Sequence, residues 1–283
     1  MNNLFDYETA FSRNIGWLTD AELQQLRQKR IAIAGMGGVG GAHLLALTRL
    51  GFGAFTLADF DHFEVANFNR QFGASMSQVG RPKVEVMSEM ALDINPQLDI
   101  RTFASGIDET NVRAFLNDAD LYIDGLDFFV MESREAVFAE CRAQAIPALT
   151  AAPLGWGVAM LAFAADGMSF EDYFQMSGQP WEEKLRRFLV GLSPTGMQFH
   201  ALVDPTRLDI ANRHGPSTPA GVYLCGALAA TNAVKLLLSR GSVPLAPQSL
   251  HFDAFSNESL LIDRPGGIGH PELQTRLAAM RQQ

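Results

Sequence analysis

Over its first 165 residues the chain alternates short apolar runs with stretches of helical period. RIAIAG (30–35), AFTLAD (54–59), LDIRTF (98–103), DLYID (120–124) and IPALTA (146–151) are short, rich in apolar and β-branched residues, and bounded by Gly, Asp, Asn or Pro, the mark of strands. Between them, GAHLLALTRLG, RPKVEVMSEMALDIN, DETNVRAFLND and MESREAVFAECRAQA read as helices. In the second of these, Val84, Met87, Ala91 and Ile94 recur at three- and four-residue spacing, and Pro82 sits near the start, where a helix tolerates it. Strand followed by helix, repeated, predicts an α/β fold of Rossmann-like, doubly wound type: a mainly parallel sheet with helices on both faces.

The rhythm changes after Asp166. Residues 166–219 mix aromatics, Gly and Pro without a clean period, which predicts a short helix near 180–190 within long loops, a crossover segment placed to face a substrate. From Ala220, AGVYLCGALAATNAVKLLLSRG is a strongly apolar helix closed by Gly241; SLHFDA and ESLLID follow as strands, and a polar tail expected to fray begins at Pro271. The three parts, 1–165, 166–219 and 220–283, are read as one domain. Ala145–Ala165 is uncharged and long enough to raise a membrane question, but Pro147, Pro153, Gly155 and Gly157 divide it into two buried strands.

Composition narrows the partners. A net charge of −9 argues against broad contact with nucleic acid or anionic membrane, so positive charge for any bound anion must be local. Cys141 and Cys225 cannot form a C-x-x-C metal site, and with no secretory leader recognised they point to a reducing compartment, the cytoplasm.

Gly35, Gly37 and Gly40 form G-x-G-x-x-G after a strand and before a helix, the context in which this motif holds a nucleotide phosphate. The first glycine permits the tight turn, the second lets backbone N–H groups approach a phosphate, and the third lets helix and strand pack closely. Asp59, at the end of the second strand, is placed to accept hydrogen bonds from a ribose. On these features alone NAD, FAD, S-adenosylmethionine and ATP remain open. The following stretch, DFDHFEVANFNRQFGASMSQVGRPKVE, places Asn67, Arg70, Gln71 and Lys83 in one loop and the next helix start. A triphosphate needs cations that a dinucleotide does not. Arg70 can fork onto phosphate oxygens and Lys83 can act as a point charge.

Taken in order, GMGGVGG, LADFDHFEVANFNRQF, VGRPKVE and YIDGLDFF resemble the glycine turn, the D-x-D…N-x-x-R-Q block, the G-x-x-K element and the strand-end aspartate of the E1-like ThiF/MoeB/HesA family. FSRNIG resembles the family's R-Q element, and STPAGVYLCGALAATNAVKLLLSRG with LHFDAFSNESLLID its closing helix and strands. The resemblance implies a single adenylation domain over 1–283, in which a substrate carboxylate attacks the α-phosphorus of ATP to give an acyl-adenylate and pyrophosphate. It implies a nucleotide site of Gly35, Gly37, Gly38, Gly40, Asp59, Asp61, Asn67, Arg70, Gln71 and Lys83, with Arg13, Arg70, Lys83 and Asp127 catalytic and Asp127 a magnesium ligand. Arg13 would reach ATP across a homodimer interface, as in some members. The implied cofactors are ATP and Mg2+. The implied partner is a small protein or peptide with a C-terminal carboxylate; in the family's tRNA-modifying branch the carboxylate belongs to a modified nucleoside, which the overall acidity weighs against without excluding it, and no membrane partner is expected.

Three departures qualify the resemblance. Phe128 stands where asparagine or serine often follows the strand-end aspartate. The paired C-x-x-C motifs of many members are absent, so zinc is not expected, and residues 166–219 contain no cysteine, so no covalent cysteine step is expected. Cys141, Cys225 and His43 read as core residues; Asp124 is a weaker candidate for the magnesium or a structural strand-end residue; His200, His214, Ser217 and Thr218 are candidates to line a substrate path; and Trp181, Phe188 and Phe199 form either a small core or a groove. Two other readings stand beside adenylation. An NAD-dependent oxidoreductase would not need Asn67, Arg70, Lys83 and Asp127 together, and a non-catalytic E1-like subunit has Phe128 as its main support.

Overall fold

A computed structural model describes residues 4–209 and 212–281; residues 210–211 of the crossover segment, 282–283 of the tail and the first three residues lie outside the described part. The strands are β1 (Arg30–Ala34), β2 (Ala54–Ala58), β3 (Asp99–Phe103), β4 (Leu121–Asp124), β5 (Ala148–Leu154), β6 (Gly157–Phe163), β7 (Gln248–Asp253) and β8 (Glu258–Asp263). They form one eight-stranded sheet in the order β3-β2-β1-β4-β5-β6-β7-β8. The first five pair in parallel and the last four pair antiparallel, with β5 belonging to both sets. The uncharged run at 145–165 is the β5–β6 hairpin, as its prolines and glycines predict.

The α-helices of the described residues are α1 (Tyr7–Phe11), α2 (Asp20–Arg27), α3 (Gly38–Arg49), α4 (Lys83–Ile94), α5 (Val112–Phe115), α6 (Met131–Ala143), α7 (Phe170–Phe174), α8 (Trp181–Leu192), α9 (Pro219–Leu238) and α10 (Pro271–Met280). The alternation within each strand sorts its side chains into two layers. Ile31 and Ile33 of β1 join α1–α4 and α9 on one face, while Ala32 and Ala34 join α5–α8 on the other. The small alanines leave room for the aromatic-rich layer of Phe115, Tyr122, Phe138, Phe163, Phe170, Tyr173, Phe174 and Phe188. Both faces are covered, as a parallel sheet requires.

Helix α9 is long and apolar enough to cross a membrane by length and composition, with a mean hydropathy of 1.5. In the fold it packs instead on α3, β5 and β6. Close approach to α3 depends on Gly226, where an added Cβ would lie 2.9 Å from the Ala42 Cβ. Thr218 caps α9 through the Gly221 N–H and donates its hydroxyl to the Gly155 carbonyl at 2.6 Å, so its role is structural. Of the other candidates in the crossover, Phe188 is buried in the aromatic layer, Trp181 packs at its edge, and His200 is exposed.

Three elements differ from expectation. The helix expected over 108–118 is a single turn, α5, because Asp108 and Asn111 hydrogen-bond neighbouring backbone and form a turn instead. The N-terminal region contains α1 and α2, the latter started by a Thr19–Glu22 capping box. The tail from Pro271 does not fray: α10 buries Leu273 and Leu277 against Val190 of α8 and Ile268. Two leucines four apart give that helix an apolar stripe, and Glu183 of α8 pairs with Arg281 at its end.

Two buried histidines carry no charge in this core. His43 of α3 is fully buried with neither ring nitrogen hydrogen-bonded, and burial lowers its pKa to about 4. His251 of β7 is also depressed by burial to about 4; its Nε2 lies 2.7 Å from the Ser249 hydroxyl.

Two predictions follow from packing and burial. Leu277→Ala is expected to lower the unfolding free energy by about 2 kcal/mol or more in urea denaturation, and a loss below about 0.5 kcal/mol would mean that α10 is only loosely attached. For His43, a folded pKa below the unfolded value means that stability is fully present above pH 6.5 and is lost as pH falls toward 4. His43→Leu is therefore expected to gain on the wild type by about 1.4 kcal/mol for each pH unit in that window; denaturation curves that run parallel across it would overturn the assignment.

Candidate active site

The parallel strand order reverses direction between β1 and β4, since β2 and β3 lie to one side and β5 to the other. In open α/β sheets the crevice beyond the carboxyl ends of the strands at such a point is where ligands bind. The turn after β1 and the loop after β4 meet there without intervening side chains. Gly35 has φ +90°, and a Cβ added to it would lie 2.1 Å from the Gly125 carbonyl oxygen. A Cβ on Gly40 would lie 1.7 Å from the Gly35 oxygen, and one on Gly125 would lie 2.8 Å from the Gly40 Cα. Gly37 is the N-cap of α3 and Gly38 its first residue, so the free N–H groups of the helix start face the crevice.

Asp59 follows β2 and ties that turn down. Its Oδ2 accepts the Met36 N–H at 2.5 Å and its Oδ1 the Asp61 N–H at 2.7 Å. The next segment makes a short turn, Val65–Asn67, in which buried Asn67 accepts the Glu64 N–H through Oδ1, and the Asn67 carbonyl accepts the N–H groups of Arg70 and Gln71. Asn67 thus aims the two residues after the turn. Gln71 is 9% exposed, its Oε1 has no hydrogen-bond partner, and its amide lies 3.6 Å from where a Gly37 Cβ would stand. Arg70 donates Nη1 to the Ala66 carbonyl and to Asn69 Oδ1 and makes no ion pair among the described residues. Lys83 opens α4; its N–H donates to the Asp61 carbonyl, and its buried ammonium sits 2.9 Å from Asp61 Oδ2. Asp61 is exposed, so this pair opens to solvent on the carboxylate side.

Across the crevice, Asp127 stands exposed on the loop between β4 and α6. Its Oδ1 accepts the Phe129 N–H at 3.0 Å, and among the described residues Oδ2 has no protein partner. Beneath that loop lies a buried ion pair, Arg134 Nε to Asp124 Oδ2 at 2.8 Å, each side chain 2% exposed. Asp124 also accepts from Thr150 Oγ1, from the Leu126 N–H and from the Tyr122 hydroxyl, which burial keeps protonated. Arg134 spends its remaining donors on the carbonyls of Leu126, Asp127 and Val130 at 2.8, 3.0 and 2.9 Å. Its guanidinium carbon lies 4.5 Å from the centre of the Phe188 ring.

Phe128 does not face the crevice as a polar residue would. Its ring packs on Phe188 of α8 at 5.5 Å and on Phe129 at 5.2 Å. Trp181 Nε1 donates to the Phe129 carbonyl, and Lys184 pairs with Glu135 at 2.5 Å, so α8 is fastened along the whole 128–135 stretch.

Arg13 is not brought to this crevice within the chain. It is exposed on the turn after α1, and its neighbour Asn14 donates to the carbonyl of Arg49, the last residue of α3. That is the opposite end of α3 from the glycine turn, roughly 18 Å away for a helix of this length. Sequence reasoning overlooked Arg134 and Gly125. Arg134 was visible as a charge on the apolar stripe Met131, Arg134, Val137, Phe138, Cys141, where a buried partner is required. Burial pushes the Cys141 and Cys225 thiols well above their usual range, so neither supplies a thiolate. Among the described residues no group of three His, Cys, Asp or Glu side chains is placed to hold a metal.

Comparison with known proteins agrees with this architecture. The tRNA threonylcarbamoyladenosine dehydratase of Haemophilus influenzae is 36% identical over 152 residues, 53% of this chain and 57% of that protein. The chain spans about half the length of that protein and of its E. coli and Bacillus subtilis counterparts. Among solved structures, MccB of E. coli with AMPCPP and MccA superposes with a TM-score of 0.70 at 18% identity, covering 93% of this chain and 72% of that one. The E. coli dehydratase TcdA in complex with ATP gives 0.61 at 23% identity, covering 82% and 95%. The family match is far more extensive: it takes in residues 11–265, from α1 to the end of β8, and the chain belongs to the ThiF family.

Proposed function

We propose that this protein is an ATP-dependent adenylyltransferase that activates a carboxylate as an acyl-adenylate and releases pyrophosphate. The reading is supported by the ThiF-family match and by contacts around the glycine turn: Gly35 lies against Gly125, two residues before Asp127, Gly38 lies against the Arg70 carbonyl, and Met36 is held by Asp59, next to the Asp61–Lys83 pair. The glycine turn and the start of α3 cradle the phosphates, and Asp59 holds the ribose. Arg70 and Lys83, the latter sharing Asp61 with the nucleotide site, neutralise phosphate oxygens, and Gln71 Oε1 finds its partner on the bound nucleotide. No general base is needed, because a carboxylate is already a nucleophile at neutral pH.

Asp127 fits a metal carried in on phosphate rather than held by a protein cage, since Mg2+ commonly uses one or two carboxylates and completes its shell with phosphate and water. When bound, Mg2+ supplies charge neutralisation of the triphosphate. The protein's own part is to present Asp127 Oδ2, unpaired and exposed, across from the glycine turn.

We further propose one adenylation unit, built on the single sheet, that acts in the cytoplasm as a homodimer. Arg13 supports the dimer: at the far end of α3 from its own crevice, it serves catalysis only from a second copy. The acceptor proposed first is the C-terminus of a small protein or peptide. A tRNA nucleoside carboxylate is the second reading, favoured by the identity to the Haemophilus influenzae dehydratase and opposed by the net charge of −9.

ATP–pyrophosphate exchange, run with small proteins ending in glycine and separately with tRNA, tests both readings. Exchange is expected with one acceptor and is expected to fall by about 100-fold or more in Arg70→Ala and Asp127→Ala proteins that retain the wild-type melting temperature. Exchange that persists in both variants would place the chemistry elsewhere. Mixing inactive Arg13→Ala and Asp127→Ala proteins is expected to restore about a quarter of wild-type exchange through hybrid dimers with one complete site. No recovery despite subunit mixing would put Arg13 outside the reaction.

A further inference from the structure

The loop from 126 to 130 that carries Asp127 is anchored by two rings, Phe129 buried in the aromatic layer and Phe128 packed on Phe188. Asp127 is exposed, and Gly125, Leu126, Phe128 and Val130 are only half-buried. The loop's backbone carbonyls are gathered by a side chain from the next helix. Arg134 reaches back and gathers the carbonyl oxygens of Leu126, Asp127 and Val130 around one guanidinium, whose Nε is held by Asp124. Asp124 completes the grip by accepting the Leu126 N–H.

An arginine is needed for this because its planar fork presents several donors at fixed angles, whereas a lysine presents one compact charge on a flexible stem. Phe188 closes the other side by covering the face of the guanidinium. Holding the pair in place takes nothing from the crevice: every donor of Arg134 points at backbone or at Asp124, so Arg134 touches no reactant.

We propose that Arg134 is a positioning residue for Asp127, setting the 126–130 loop so that the free carboxylate oxygen meets the metal-bearing triphosphate. The proposal rests on the adenylation reading above and goes beyond it, because it assigns Asp127's alignment to a residue outside the crevice. A group that orients a ligand of a metal through the backbone commonly changes metal affinity or activity by about 10–100-fold when replaced.

Calorimetric binding of ATP, in EDTA and in excess Mg2+, separates this role from a general structural one. In Arg134→Lys the tightening of ATP by Mg2+ is expected to fall by about 10-fold, while affinity in EDTA stays within about twofold of wild type. The same titrations on Asp127→Asn and on the double variant complete a cycle. If Arg134 acts through Asp127, the double variant is no worse than Asp127→Asn alone; losses that add, or equal losses with and without Mg2+, would reduce Arg134 to a fold-holding residue. Should Arg134→Lys fail to fold, Phe188→Leu, which leaves the Asp124 pair and the backbone contacts intact, enters the cycle with a smaller loss of the same kind expected. Wild-type protein that binds ATP without any Mg2+ enhancement would overturn the proposal and leave the ATP site standing. Wild-type protein that binds no ATP would overturn both.

Discussion

Backbone meets backbone at the centre of this fold, where the turn after β1, the start of α3 and the loop after β4 approach with no room for a single Cβ. Gly35, Gly40 and Gly125 are the three residues that permit it. The contact is costly for an unfolded chain, since glycine loses more conformational freedom than other residues. It is held by regular strand pairing on both sides: the Gly35 N–H donates to Ala58 of β2 and the Gly125 N–H to Ala34 of β1. Because the two loops touch, the helix N-terminus that favours an anion and the carboxylate that favours a cation face each other across one crevice. A bulkier residue at any of the three positions would push the glycine turn away from the loop that carries Asp127.

The electrostatics follow from that arrangement. In the adenylation we propose, attack of a carboxylate on a triphosphate brings like charges together, and two unit charges about 5 Å apart repel by roughly 3 kcal/mol at an effective dielectric of about 20. An acidic protein with a net charge of −9 must cancel this locally. Lys83 is kept almost fully buried and already paired with Asp61, so its charge is oriented before any nucleotide arrives. Among the described residues Arg70 has no carboxylate partner and is tethered by Ala66 and Asn69, which leaves donors open for the anion we propose. One cation is preorganised by a pair and the other by a turn. Asn67 controls the latter because its carbonyl receives the N–H groups of both Arg70 and Gln71.

Much of this was legible in the chain because the informative signals are local. The strands over 30–34, 54–58, 99–103 and 121–124 lie within a residue of where their apolar runs end, and the glycine turn, Asp59 and Lys83 fall on the element boundaries that their spacing implies. Short helices were harder. The Thr19–Glu22 capping box was a readable start for α2, but α10 has only a short apolar stripe, and the residues that bury it, Val190 and Ile268, are contributed by α8 and the turn before α10. The position of Arg13 was not legible either, because nothing in FSRNIG reveals that the turn docks at the far end of α3.

Phe128 shows how a departure from a family pattern can be resolved by packing. As a residue beside the strand-end aspartate it raised doubt about the nucleotide contacts. In the fold its ring is turned away, onto Phe188, and the same Phe188 ring covers the guanidinium that holds the Asp127 loop. An asparagine there would offer a polar group to the crevice, whereas phenylalanine adds apolar contact between that loop and α8. Trp181 and Lys184 strengthen the same junction from one side of α8, and Glu183 carries it on to Arg281 beyond α10. The crossover segment is therefore not a loose cover: its helix, the Asp127 loop and α10 are joined by contacts that no one of them could break alone. Displacing α8 would therefore disturb the Phe188 ring, the Trp181 hydrogen bond and the Lys184 pair together, and with them the loop that carries Asp127.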